Sequence, residues 1–299
     1  MVHVGDLLLA LYGATSGEIG ISKITGAINQ AILCIRTNQN NKFLKYQWQK
    51  NKNRILKTYL QGGQGNLSGE IVSSLSFNFP ELEEQDKIVK FLNKIDTRIE
   101  TQNKIIEHYE SLIKSLRNEI LYKNDWKWIK LKKIVDKKSI ELQRGNIIPK
   151  HNYDSNFIYP VYSSSIHNNG LMGFNDSYMF NDELITWSID GGGNFFLRNK
   201  HKFNVTNVCG ILKILDNSFD YSFLFEILSY QHSKMTFDYQ TKAHPSVIQT
   251  IYSIPLLDLK EQKRIGSIFK PLYDRIKIEK EIIDLLKVQK EYLLRNLFI

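Results

Sequence analysis

The feature that most constrains this chain is a sevenfold apolar pattern that occurs twice. Across residues 84–121, alternating steps of four and three land on Ile88, Leu92, Ile95, Ile99, Gln102, Ile106, Tyr109, Ile113, Leu116 and Ile120. This is a heptad seam. A straight helix drifts about 20° per heptad from such a repeat, so a seam held over roughly four and a half heptads calls for a supercoiled partner. Adding 177 to each number gives Ile265, Phe269, Leu272, Ile276, Glu279, Ile283, Leu286, Lys290, Leu293 and Leu297. Both copies are announced by Glu-Gln, and both carry a polar residue at the fifth seam position, Gln102 and Glu279. An internal repeat outranks weaker signals. The expectation is that the two helices pair antiparallel, with Gln102 and Glu279 meeting to set the register.

Ahead of each helix lies strand-and-turn chemistry. In the first copy, residues 6–12, 19–22 and 31–36 read as strands, with a turn at Gly13 to Gly17. Residues 42–60 read as a basic helix, and Gly62-Gly63-Gln64-Gly65-Asn66 as a polar loop. The second copy opens at Trp126-Lys127-Trp128-Ile129. It continues through strand-like segments at 158–165, 184–189 and 207–215, and a helix at 221–230. Gly5-Asp6-Leu7-Leu8 matches Asp182-Glu183-Leu184-Ile185, and Asn29-Gln30-Ala31-Ile32 resembles Asn207-Val208-Cys209-Gly210. Nothing in the first copy corresponds to residues 126–181, so about half of a module is missing there.

At 299 residues the chain is long enough for two cores. Its net charge of +9 admits an anionic partner. Residues 84–121 hold seven basic and seven acidic residues, whereas 122–150 hold nine basic and three acidic, and 42–57 hold six basic and none acidic. The last two runs are candidate phosphate-facing patches. Cys34 and Cys209, the two cysteines, each sit in an apolar strand-like run and read as core residues of a reducing compartment. No apolar stretch nears the length of about 20 residues that spans a bilayer, so a cytoplasmic location and no membrane association are expected. There is no Walker loop, no His-Glu-x-x-His and no cysteine cluster, and the prolines never adjoin. No catalytic residue, metal or cofactor is therefore expected.

Phe79-Pro80-Glu81-Leu82-Glu83-Glu84-Gln85-x-x-Ile88 followed by Asp96-x-Arg98-Ile99 recurs as Ile254-Pro255-Leu256 through Glu261-Gln262-x-x-Ile265 and Asp274-Arg275-Ile276. With the Trp126 opening of a new unit, this pattern resembles the DNA specificity subunit of type I restriction-modification enzymes, with a shortened first recognition domain. The resemblance implies an α+β fold: two α/β target recognition domains joined by two long helices that form an antiparallel coiled coil, as a pseudo-twofold repeat. The expected boundaries are a partial first recognition domain at 1–81, a spacer helix at 82–122, a second recognition domain at 123–258 and a second spacer helix at 259–299. It further implies a non-catalytic subunit that binds double-stranded DNA at a bipartite site and scaffolds two methyltransferase subunits and the restriction subunits. Those partners carry the chemistry. Helices of about 33 residues at 1.5 Å rise span roughly 50 Å, enough to hold two readers more than a duplex turn apart. The short first domain leaves a second reading: a truncated or silent subunit acting as a recombination cassette, half-site reader or inhibitory partner, with self-association completing the first domain.

Recognition residues are sought in the polar loops. In the second domain Ser163, Ser164, Ser165, His167, Asn168, Asn169, Asn194 and Arg198 are expected to read bases, and Arg144, Lys150, Lys200, Lys202 and Lys242 to meet phosphates. In the first domain Thr15, Ser16, Gln61, Gln64 and Asn66 are the analogous residues. Glu84-Gln85 and Glu261-Gln262 are assigned a local role at the helix start, the carboxylate complementing the helix dipole. Ser68 and Ser246 read as capping or turn residues.

Overall fold

The computed structural model describes residues 1–60, 66–122, 125–149, 157–165, 167–190, 194–237 and 242–298. Lys150, Gln61 and Gln64, all expected to contact DNA, lie outside the described residues. The chain divides into two units, one of Met1–Glu107 with Lys277–Ile299, the other His108–Ile276.

In the first unit, β1 (Leu7–Ala10) is flanked antiparallel by β2 (Ile19–Ile21) and β3 (Ile32–Ile35). Leu7 and Leu9 alternate on one face of β1 and are fully buried. Gly17 closes the β1–β2 turn with φ +80°, and a Cβ there would lie 2.9 Å from the Leu56 side chain. Its carbonyl accepts from Trp48 Nε1 at 2.8 Å. A side chain is thus excluded both by conformation and by space. Helix α1 (Asn41–Leu60) follows and buries Phe43, Tyr46, Trp48 and Ile55. The Asn40 side chain caps it, Oδ1 accepting from the amides of Lys42 and Phe43. Next come α2 (Gly69–Ser74), capped by Ser68 Oγ, and α3 (Leu82–Tyr122), whose residues up to Glu107 belong to this unit.

The second unit opens with β4 (Trp128–Lys130), α4 (Leu131–Asp136) and β5 (Ile140–Arg144). After β6 (Tyr159–Tyr162), β7 (Leu171–Asn175), β8 (Leu184–Ser188), β9 (Phe195–Arg198), β10 (Asn204–Val205) and β11 (Cys209–Ile214), the chain enters α5 (Tyr221–His232), α6 (Pro245–Ile251), β12 (Ser253–Pro255) and α7 (Leu259–Leu297). The main sheet runs β5-β11-β8-β9, a second runs β10-β6-β7, and β12 pairs with β4. Every residue of β8 is buried, as a central strand covered on both faces requires. A Cβ on Gly210 would lie 2.0 Å from the Trp187 ring, so the β11 backbone passes directly against that indole. His244, rather than Ser246, is the N-cap of α6, with Pro245 at the first position; Ser246 donates its amide and holds its hydroxyl 2.8 Å from His244 Nδ1.

The long helices have 41 and 39 residues; α3 extends past its seam at both ends, whereas α7 ends on Leu297, its last seam position. Every seam position of both copies is buried or half-buried. In the first unit Val89 and Leu92 cluster with Leu294 and Phe298, and Lys290 Nζ donates to Asp96 Oδ1 at 2.6 Å. In the second, Arg117 on α3 donates to Tyr273 Oη on α7 at 2.6 Å. Early α3 thus meets late α7, and late α3 meets early α7, which is antiparallel pairing. Stepping from the Asp96–Lys290 contact staggers Gln102 and Glu279 by about five residues rather than opposing them. Helix α7 also runs unbroken through Pro271, a residue that costs about 3 kcal/mol in a helix interior.

The repeated glutamine has a sharper role than its glutamate neighbour. Gln85, fully buried, accepts from the amide of Asn40 at 3.0 Å and donates to Pro80 O and Gln39 Oε1. Gln262, 1% exposed, accepts from the amide of Asp220 at 3.0 Å and donates to Leu257 O and Ser218 O. Asn40 and Asp220 are the caps of α1 and α5. Each glutamine therefore ties the first turn of its long helix to the start of the helix packed on the adjoining sheet. Behind these clamps lie buried polar anchors. Tyr46 donates to Asn93 and Asp96 in the first unit, and Arg117 to Glu226 and Tyr273 in the second. Burial pushes the Glu226 carboxyl above its ordinary range, while Arg117 pulls the other way.

Gln85→Ala and Gln262→Ala are each expected to cost about 1–3 kcal/mol, the penalty for stranding a buried amide, read as a lowered urea midpoint. The Arg36 guanidinium holds Asp6 at about 2, below its ordinary 3.8. A depressed carboxylate stabilises above its unfolded value and is lost as pH falls through the folded one. The stability gap between the chain and Asp6→Asn should therefore narrow between pH 4 and 2 while staying constant from 5 to 7.

Candidate nucleic-acid interface

In the second unit the polar loops gather at one end of the main sheet, where β8 ends and β11 begins. The Ile189 amide donates to Val208 O, Arg144 donates from Nε and Nη2 to Asn207 O at 2.9 and 2.7 Å, and the Thr206 amide donates to Tyr162 O. Thr206 Oγ1 also donates to Ser163 Oγ at 3.1 Å. The Ser163 amide then closes loop 163–170 on Gly170 O at 2.8 Å. Asn168 and Asn169 stand exposed in that loop with φ of 48° and 52°, the left-handed conformation that asparagine tolerates. Ser164 and Ser165 flank them. For His167 only the backbone, in the same turn, is described.

Arg198 lies beneath this loop. It was expected to read bases and is instead 5% exposed. Its guanidinium sits 3.7 Å from the Tyr162 ring centroid and 4.7 Å from that of Phe196, while Nε donates to Thr186 Oγ1. A Cβ on Gly170 would lie 3.3 Å from Arg198 Nη2 and 2.9 Å from Ser163 O, so the loop closes on the guanidinium through a glycine. Burial draws the Arg198 pKa down to about 10, still charged at neutral pH. A planar cation between two aromatic faces makes the floor on which loop 163–170 rests.

The β8–β9 connection joins the same end. The Ala243 amide donates to Ile189 O, and Lys242 Nζ lies 2.8 Å from Asp190 Oδ1, with Asn194 exposed at the start of β9. Arg144, Ser163, Ser164, Ser165, Asn168, Asn169, Asn194 and Lys242 are thus brought together. Lys202 is not: the parallel pairing of β10 with β6 brings it level with Tyr159 at the other end of β6, about 13 Å away at strand rise, and Lys200 is exposed two residues before it. There Lys202 Nζ stands 4.7 Å from the Tyr178 ring and 5.8 Å from that of Tyr159.

The first unit builds a smaller version. Leu11 O accepts both the Ser16 hydroxyl at 2.9 Å and the Leu67 amide at 2.8 Å. The Gly13–Gly17 turn, with Thr15 exposed, is so tied to the segment that carries exposed Asn66.

Asn207 and Thr206, which hold the second-unit cluster together, and the exposed Tyr178 were missed by sequence reasoning. No local pattern marks them, because their partners lie 63, 43 and 24 residues away in the chain. Among the described residues no group of three or more His, Cys, Asp or Glu side chains could hold a metal, and no helix is long and apolar enough to cross a membrane.

The family model for the type I restriction modification DNA specificity domain matches residues 2–110 and again 123–288. Among curated proteins, one assigned as a type I specificity subunit in Mycoplasma pneumoniae is 33% identical over 159 residues, 51% of this chain and 42% of that protein. A second from the same organism is 34% identical over 150 residues, 49% of this chain and 44% of its own length. The chain therefore spans less than half the length of these relatives. A third is 28% identical over 220 residues, 72% of this chain and 83% of that protein. Among solved structures, the S subunit of a type I restriction-modification system from M. genitalium aligns with 100% of this chain and 84% of its own, with a TM-score of 0.66 at 17% identity, a likeness of fold.

Arg198→Ala should remove the floor of loop 163–170. The expected result is a loss of about 2–3 kcal/mol in stability and faster hydrogen exchange at the Ser163 amide, read by mass spectrometry.

Proposed function

This chain belongs to the type I restriction modification DNA specificity family, and from that premise we propose that it is the subunit that selects the DNA sequence on which a methyltransferase acts. The observation that carries the proposal is the double match of the family model, once over each copy of the repeat. In this reading the chain is cytoplasmic and non-catalytic. Recognition segments 1–81 and 123–258 each read part of a bipartite site on double-stranded DNA, and the helices at 82–122 and 259–299 space them. Two methyltransferase subunits dock on the scaffold, and restriction subunits join the full complex.

The end of the main sheet in the second unit supports a division of labour. Asn168 and Asn169, with Ser164, Ser165 and Asn194, present the amide and hydroxyl groups that pair with base edges. Arg144 and Lys242 hold the phosphates on either side. Lys200 and Lys202, with Tyr159 and Tyr178, form a second cationic patch that follows the backbone further along. In the first unit Thr15, Ser16 and Asn66 occupy the corresponding turn. One observation favours a second reading, in which the chain reads a half-site and self-associates: the first unit has a three-stranded sheet where the second has four strands and an additional three-stranded sheet.

Coexpression with a methyltransferase subunit, followed by mapping of methylated adenines, tests both. A bipartite asymmetric motif is the expected result; a palindromic one favours the second reading, and no motif refutes both. At the residue level, Asn168→Gly with Asn169→Gly keeps the left-handed turn and should change stability by less than about 0.5 kcal/mol. Affinity for the cognate site should fall by about 1–3 kcal/mol. Arg144→Ala should weaken all sequences alike and lower the salt slope of binding by about one.

A further inference from the structure

A single run of backbone in the second unit serves both of its larger sheets, and it changes from one to the other at the end where the polar loops gather. Strand β5 pairs with β11 as far as Arg144, and the Gly145 amide still donates to Cys209 O at 3.1 Å. One residue later the partner has changed. The Asn146 amide donates to Val205 O at 3.0 Å, and Asn146 bridges Thr206 in parallel, on the free side of β10, the edge strand of the second sheet. The crossing requires glycine, since a Cβ on Gly145 would lie 2.2 Å from Val205 O and 2.4 Å from Thr206 O. Asn146 is thus pinned through its backbone between two sheets, yet it is exposed. Ile147, the next residue, is 79% exposed, more than any other large apolar residue described in this unit.

Asn146 and Ile147, with Arg144, Gly145 and Asn207, line an open cleft of about 470 Å³. Its walls are fixed from several sides. Arg144 turns Nε and Nη2 inward onto Asn207 O, the Cys209 amide closes the turn on Thr206 O at 3.0 Å, and Thr206 Oγ1 donates to Ser163 Oγ. Thr206 therefore places the cleft beside loop 163–170. What the cleft offers a ligand is asparagine amide and an aliphatic branch held on a backbone that is already ordered. Asparagine pairs with adenine through N6 and N7, and an apolar side chain meets the C5-methyl of thymine. An A·T pair shows both features in the major groove. An isoleucine left in water at a polar, basic end gains by covering that methyl group, and a pinned backbone loses little entropy in doing so.

We propose that Asn146 and Ile147 are specificity-determining residues of the second unit, and that their cleft selects an A·T pair in the major groove. The Asn146 side chain accepts from adenine N6 and donates to N7, and the Ile147 side chain covers the thymine methyl group. This assignment rests on the DNA-reading role proposed above and adds to it the kind of base pair selected.

In the test, the full chain copurified with a methyltransferase subunit selects duplexes from a randomised DNA pool. Asn146→Ala is expected to relax one A·T position of the selected motif by about 5- to 150-fold and to leave the other positions intact. Asn146→Asp keeps the shape but only accepts, so it should move that position from adenine towards cytosine, whose N4 amino group a carboxylate accepts. A residue with a purely structural role would cause no such switch. Replacing the thymine of that pair by uracil removes one methyl group and should weaken binding by the unaltered chain about fourfold, while Ile147→Ala binds both duplexes alike. Should Asn146→Ala unfold, the aspartate variant and the uracil duplex still decide. A motif unchanged by both Asn146 substitutions, or equal affinity of the unaltered chain for thymine and uracil throughout the motif, would overturn the assignment and leave the DNA-reading role standing. No motif from the unaltered chain would overturn both.

Discussion

A single buried amide side chain, used once in each unit, is the joint on which the architecture depends. Gln85 and Gln262 each face two obligations at once: the first turn of a long helix, and the capped start of the helix that backs a sheet. A glutamine has one acceptor and two donor hydrogens, and each of these glutamines places both kinds. Buried polar groups of this sort are costly when unmet, so the clamp specifies one geometry of helix against sheet rather than merely adding stability. The heptad seam alone would let a helix slide or rotate by a turn. Tyr46 with Asp96 and Lys290, and Arg117 with Glu226 and Tyr273, close the remaining freedom.

From that joint outward, order passes to loop 163–170 in steps. The main sheet of the second unit fixes Thr186; Thr186 and two aromatic rings hold Arg198; and Arg198 supports the glycine at which loop 163–170 closes. Asn168 and Asn169 can then stay in the left-handed region while exposed. A surface that reads bases must lose little side-chain and loop entropy on binding. A desolvated cation beneath the loop serves that need better than the same arginine at the surface would.

Much of this was legible before any coordinates, and the reasons are local. Heptad spacing marked both long helices and their seam, and Gly13 to Gly17 marked the first turn. The recurring Glu-Gln located both helix starts, although it drew attention to the glutamate's charge when the glutamine carries the contacts. Arg198 was misassigned because an arginine ending an apolar strand looks the same in sequence whether it faces water or the space beneath Tyr162. The meeting of Gln102 and Glu279 also failed, because the Asp96–Lys290 contact sets a register that staggers the two.

The sequence by itself determined the repeat, the two long helices and the strand-and-turn character ahead of each, because periodicity, caps and turns are properties of neighbouring residues. Tertiary structure alone decided which polar residues gather at one end of the second sheet and which arginine lies beneath them. Those outcomes come from contacts between residues far apart in the chain, Arg144 with Asn207 or β5 with β11, where burial and backbone pairing are settled only once the strands have been brought together.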